Sequence, residues 1–170
     1  MLKRVNGQDG SWPDLISQWE KQCEIYGESL DDFAVASLPV IEGLATGAQQ
    51  HYAGAYAYSD DGNYKAVCHV NSTFLPKYDG KVLRVRHIVL SPDFDFSDTP
   101  TVDDYTDVLV GVFVGAIALT MEEMPSSHVK FHLRSPIERE LGEHFTKAIS
   151  GNAAFKDVAM QGSWIYLSKA

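Results

Sequence analysis

Two turn signals divide the middle of the chain into three alternating segments. Asp60-Asp61-Gly62-Asn63 is a hairpin signal, because Gly62 and Asn63 can take positive φ at little cost. Lys77-Tyr78-Asp79-Gly80 is a second turn. His51 to Tyr58, Tyr64 to Leu75 and Lys81 to Leu90 each read as strands, with Tyr52, Tyr56 and Tyr58 set among Ala and Gly. Three such segments in sequence predict an antiparallel meander.

Helical periods flank the meander. Pro13 to about Tyr26 places Leu15, Ile16, Trp19, Cys23 and Tyr26 near one face, with Ser11 as the expected cap and Gly27 as the stop. Leu30 to about Leu44 is a second helical stretch that Pro39 breaks or restarts. Asp103 to Glu123 has strand-like Val content, but its length decides for a helix. Thr101-Val102-Asp103-Asp104 resembles a capping box, Asp107 adds to the acidic start, and Pro125 is the expected end. Gly111 and Gly115 share one face, where this helix can lie close against a sheet, and its apolar character predicts burial. His128 to Arg134 reads as a strand and Pro136 to Ile149 as an amphipathic helix with Ile137, Leu141, Phe145 and Ile149 in step. Phe155 to Met160 and Ser163 to Ser168 are terminal strands. Trp164 and Tyr166 share one face of the last, Ile165 and Leu167 the other.

Composition bounds the function. With 170 residues and 45% apolar content the chain can fill the core of one domain. A net charge of −9 disfavours broad capture of nucleic acid or of an anionic membrane. The longest apolar run, Val108 to Leu119, is short of the roughly 18–20 residues that span a bilayer. Met1 to Gly7 leads into no apolar segment of the kind a signal peptide needs, so a cytoplasmic location is expected. Cys23 and Cys68 have no metal-ligand spacing. Two buried thiols are expected, with one disulfide left open.

The order helix, helix, three meandering strands, buried helix, strand, helix, terminal strands resembles the GNAT superfamily of N-acetyltransferases, with Leu2 to Val5 as a short leading strand. Gly80 to Pro92 looks like the family's fourth strand running into the cofactor loop. His128 to Leu133 looks like the fifth strand, and Gly162 to Lys169 like the closing one. The resemblance implies an α+β fold, a mixed but largely antiparallel twisted sheet with helices on both faces, over residues 1–170. It also implies acetyl-CoA as cofactor, bound where the fourth and fifth strands splay, along Ile88, Val89, Leu90 and Ser91. A small-molecule or peptide amine would attack the thioester directly, and the acidic surface would suit a cationic one.

Two departures stand out. The family's Arg/Gln-x-x-Gly-x-Gly/Ala loop, whose N–H groups cradle a pyrophosphate, is absent. Ser91 to Asp104 contains no Gly, Lys or Arg, and six Asp fall between Ser91 and Asp107. The family's acid tyrosine has no match either: Phe145 stands near its place, with His144 beside it. The proton-transfer residues expected here are therefore His87, in the fourth strand, and His144. The alternative is a binding or assembly module on the same fold that has lost coenzyme A.

Other motifs carry less. Asp93, Asp95, Ser97, Thr99, Thr101 and Asp104 have calcium-loop spacing, but Asp98 stands where that loop needs Gly, so a solvated mobile loop is the default reading and no metal is expected. His128 and His132 lie roughly 13 Å apart on a strand, which suits surface histidines and not ligands. Arg84 and Arg86 should share a face with Val82 and Ile88 and pair with Glu122 or the loop aspartates. There is no nucleophile elbow or phosphate-binding loop. Trp164 and Tyr166 read as core or homodimer packing.

Overall fold

The computed structural model describes residues 1–170. Its elements run β1 (Leu2–Val5), α1 (Ser11–Ile25), a 3-10 turn (Leu30–Asp32), α2 (Leu38–Thr46), β2 (Ala53–Asp60), β3 (Asn63–Phe74), β4 (Lys81–Leu90), α3 (Pro92–Phe96), α4 (Val102–Leu119), β5 (His128–His132), α5 (Pro136–Ile149), β6 (Phe155–Gln161) and β7 (Trp164–Lys169). All seven strands form one sheet in the order β1-β2-β3-β4-β5-β7-β6. Only β4 and β5 are parallel, so α4 is the crossover between them.

The meander closes as the turns require. Positive φ falls on Asp61 (46°) and Gly62 (79°), one residue earlier than Gly62-Asn63, which is the two-residue hairpin whose twist matches its strands. Pro39 restarts the second helical stretch, leaving a 3-10 turn before it and α2 after it. Ser11 does not cap α1. Gly10 takes that place at φ 82°, while Ser11 enters the first turn and its Oγ accepts the Asn6 N–H at 2.9 Å. A capping box closes α5, with Glu138 reaching back to Ser135.

Two cores sit on the two faces of the sheet. One gathers Leu83, Val85 and Ile88 of β4 with α4, α5 and the inward face of β7. The other gathers Val67 and Val89 with α1 and α2. Gly111 and Gly115 lie as their spacing predicted: a Cβ at Gly111 would strike the Tyr58 ring, and one at Gly115 the Leu2 side chain. α4 differs from expectation in two ways. It ends at Leu119, where Met124 N–H turns back to Leu119 O, before Pro125 is reached. It is also not buried all round, since Val110 and Val114 face solvent. Cys23 and Cys68 are both buried and free; they belong to opposite cores, so the sheet itself separates them.

The residue that shapes the fork is His87. Val67 pairs with Val89 but His69 pairs with Arg86, so Cys68 faces both His87 and Ile88. This is a β-bulge, with His87 at φ 53°. The bulge resets the alternation. Ile88 therefore joins Leu83 and Val85, and the expectation that it shares a face with Arg84 and Arg86 does not hold.

Candidate functional site

β4 and β5 are paired only over Val82–Val85 and His128–Phe131. Beyond that register they diverge, and the bulge lies at the point of divergence. Ser91 N–H donates to Lys65 O at 2.9 Å across the β3 side. By the alternation of an antiparallel ladder, the Val89 amide also faces β3, and the Leu90 amide faces the edge that β5 has left. The Ile88 and Val89 side chains anchor this stretch in opposite cores. Ser91 is 1% exposed, and its Oγ has no hydrogen-bond partner.

His87 is half-buried at the fork. Its Nδ1 lies 3.2 Å from Ser37 Oγ, which also accepts Arg134 Nη1 at 2.8 Å. Ser37 belongs to the connection between α1 and α2, so this segment reaches over the fork to hold both groups. The His87 ring stacks on His69 at 6.3 Å between centroids. Burial, then the charges of Arg134, Arg86 and His132, hold its pKa below the ordinary histidine value. His144 is exposed on α5, which packs on the other face of the sheet, so the structure does not bring His87 and His144 together.

Arg84 and Arg86 pair with no carboxylate, against expectation. The only ion pair is Arg4 Nε with Glu123 Oε1 at 2.8 Å, far along the chain from either. The pleat turns both arginines to the side away from α4 and Glu122, and no loop aspartate pairs with either. His128 is a buried structural histidine and not a surface one: Nδ1 bonds Ser168 Oγ at 2.8 Å and Nε2 bonds Asp79 O at 2.9 Å. His132 stacks on Trp164 at 4.4 Å. The outer face of β7 packs on Lys130, whose Nζ lies 4.7 Å from the Trp164 and Tyr166 ring centroids.

The acidic segment is ordered differently from a solvated loop. Pro92–Phe96 winds into a short helix with Phe94 buried and its carbonyl accepting the Tyr105 hydroxyl. Winding turns Asp93 and Asp95 to opposite sides. No three His, Cys, Asp or Glu residues come close enough to hold a metal ion. At the start of α4, Thr101 Oγ1 accepts Asp104 N–H at 3.3 Å, and Asp104 Oδ2 accepts Thr101 N–H at 2.7 Å. The Thr101 N–H and hydroxyl, both donating to it, hold the Asp104 carboxyl below the usual range. Of the N–H groups at this helix start, that of Thr101 is taken by a carboxylate and that of Asp104 by a hydroxyl, with the Asp103 carboxylate beside them. The residues at this helix start do not fit the pyrophosphate of coenzyme A. A cavity of about 560 Å³ lies along this segment and is lined by Asp60, Asp93, Asp104 and Asp107 against the single cation Lys65. It lies away from the fork.

The strand order and the parallel β4–β5 pair make an α+β arrangement with a largely antiparallel sheet and helices on both faces, the architecture expected from the sequence. No protein-family model matches the sequence. No curated protein matches it either. Solved structures similar to the chain include a ribosomal-protein-alanine N-acetyltransferase from Brucella melitensis, 16% identical, with a TM-score of 0.43 over 95% of this chain and 99% of that one. An acyl-CoA N-acyltransferase from Pseudomonas aeruginosa is 12% identical, with a TM-score of 0.45 over 100% and 99%. Escherichia coli ElaA is 8% identical, with a TM-score of 0.46 over the same shares. At these values the likeness adds nothing to what the strand order already says.

The site residues absent from the sequence reading are Ser37, His69 and Arg134. They come from three separate segments and meet only because the bulge opens β4 beneath the α1–α2 connection. The one local trace was Arg84-x-Arg86, two cations in alternation on a strand whose other face is apolar.

Proposed function

We propose that the chain is an N-acyltransferase working at the β4–β5 fork as one domain of residues 1–170, with an amine as acceptor and acetyl-CoA as acyl donor, its pyrophosphate held elsewhere than at the α4 start. The observation that carries this reading is the bulge at His87, which joins a free strand edge to an imidazole kept neutral near pH 7. With Nδ1–H donated to Ser37, Nε2 holds the lone pair and can take the proton that an acceptor nitrogen sheds. The Leu90 amide, on the edge facing the fork, can donate to an oxygen that gathers negative charge. Ile88 and Val89, fixed in the two cores, keep that edge rigid. Two buried free thiols suit a reducing cytoplasm.

A second reading has its own support. The Thr101–Asp104 closure and the Gly-free segment before it favour a binding module that has given up coenzyme A. Calorimetric titration with acetyl-CoA separates the two. Binding at micromolar to sub-millimolar Kd, with thiol release when amines are added, supports the transferase. No heat at about millimolar acetyl-CoA overturns it in favour of the module.

A further inference from the structure

The face of β3, β4, β5 and β7 on the α1/α2 side carries an unusual set of side chains. Arg84, Arg86, Lys130 and Arg134 are four of the chain's 14 Lys and Arg residues, in a protein of net charge −9. Register makes them contiguous: His69 pairs with Arg86, Asn71 with Arg84, and Arg84 with Lys130. His87 and His132 complete the patch.

Arg84, Arg86 and Lys130 have no carboxylate to meet, and Arg134 has only Glu138. Arg84 and Arg86 make no ion pair, and the Nε of each is buried without a hydrogen-bond partner. His69 Nδ1 and Asn71 Oδ1 are likewise buried and unpartnered; Asn71 is only 8% exposed. Four of the six such atoms in the molecule therefore fall in this one patch. Buried polar groups are ordinarily satisfied, and a concentration of exceptions needs a cause. Burial lowers the pKa of Arg84, Lys130, His69, His87 and His132, and the charged neighbours that add to the shift in each case are cations: Arg86 for Arg84, Arg84 for Lys130, and Arg134 with Arg86 for His132. A folded chain keeps such mutual repulsion where an anion relieves it. The carboxylates that make the chain acidic lie elsewhere, four of them around the α4 cavity.

We infer that this face binds the oxyanion group of the acceptor, a carboxylate or a phosphate monoester, with Arg84 and Arg86 as its principal partners, and thereby places the acceptor's amine beside His87. The inference rests on the transferase reading only for the word acceptor; the anion site stands on its own geometry. Planar guanidinium forks suit either oxyanion, and Lys130 and Arg134 flank them as additional positive charge.

The test uses the full chain without any acyl donor. L-glutamate, phosphoethanolamine and putrescine are titrated by calorimetry at constant ionic strength, against wild type, Arg84→Gln, Arg86→Gln and the surface control Arg139→Gln. Expected is binding of glutamate, of phosphoethanolamine or of both, weakened about ten-fold or more by either fork variant and unchanged by R139Q, with no binding of putrescine. Glutamate alone identifies a carboxylate site and phosphoethanolamine alone a phosphate site. Anion-dependent rise of the wild-type melting temperature gives a readout that needs no variant to fold. No binding of either oxyanion at about 10 mM, or equal binding by R84Q, R86Q and wild type, overturns the inference. Failure of acetyl-CoA to bind would leave this result untouched and remove the transferase reading alone. Acetylation of putrescine but not of glutamate or phosphoethanolamine would keep the transferase and overturn the anionic acceptor.

Discussion

The Tyr56 hydroxyl donates to Glu123 Oε1 at 2.6 Å, the same oxygen that receives Arg4 Nε at 2.8 Å. One carboxylate oxygen thus ties the centre of β2 and the edge strand β1 to the turn that follows α4. Arg4 also lies 4.9 Å over the Tyr56 ring and donates to Ala53 O at 2.9 Å. Burial, then the hydrogen bond to Glu123, pushes the tyrosine pKa up, so the hydroxyl stays protonated and keeps donating. Tyr56→Phe removes one hydrogen bond to a carboxylate that reaches solvent, and should cost about 1 kcal/mol. Urea unfolding checks this; an unchanged midpoint would show that the link contributes nothing.

His87 carries two separable burdens, a strained backbone and an imidazole. A side chain at φ 53° costs about 1–3 kcal/mol, and glycine escapes most of it. His87→Gly should therefore be at least as stable as His87→Ala, and His87→Val the least stable of the three. All three should lose transfer by about 10²–10⁴-fold if the imidazole is the base. A glycine variant that folds well and still transfers would refute the base assignment without any appeal to misfolding.

His69 predicts how stability depends on pH. Burial, then Arg86, His87 and Arg84, brings its pKa down to about 4, from an ordinary value of 6.5. The unfolded chain binds this proton more readily than the folded one. The stabilisation from a neutral His69 is therefore complete above about pH 6.5, and falls as pH drops toward 4. Its size is on the order of 1–2 kcal/mol, after discounting for the solvent that reaches the ring. Melting temperatures from pH 7 to 4.5 should fall more steeply for wild type than for His69→Gln, and parallel curves would contradict this.

Asp103 and Asp104 should oppose coenzyme A. Replacing both by Asn keeps an oxygen for Thr101 and removes two negative charges from the α4 start. Acetyl-CoA affinity should then rise by about three- to thirty-fold. If neither protein binds, carboxylates are not what stands in the way, and the module reading gains.

Two glycines with the same helical setting should respond in opposite directions. A Cβ at Gly115 meets Leu2, so Gly115→Ala should cost about 1–3 kcal/mol by forcing β1 from α4. Gly43, exposed within α2, has nothing within 4 Å of its Cβ position, and Gly43→Ala should stabilise by about 0.5–1 kcal/mol. Chemical denaturation of the pair checks both signs.

Much of this architecture was legible in the sequence because it is written locally. β4 begins and ends where its alternation does, at Lys81 and Leu90, and the Thr101 capping box forms as its spacing implied. Helix ends were harder. Ser11 looks like a cap, but Gly10 takes the left-handed turn, and α4 stops on a backbone turn that no side chain announces. The bulge left only a slight local signal, the successive polar residues Arg86-His87 that break the alternation, because it exists chiefly as a mismatch between β4 and β3. The same is true of the cationic face. Its members are spread from His69 to Arg134, and the overall negative charge conceals them. Net charge says what a chain carries, not where it is carried.

The bulge at His87 also bears on how such a site can come and go. It adds one residue to β4 without exchanging the two faces, because Val85 and Ile88 still point to one core and Val89 to the other. A chain lacking only His87 would keep every buried side chain of the strand on its present side, with Cys68 opposite Ile88 alone. The fold and the fork are therefore separately heritable: one inserted codon opens the sheet, one deletion heals it, and neither core has to be rebuilt.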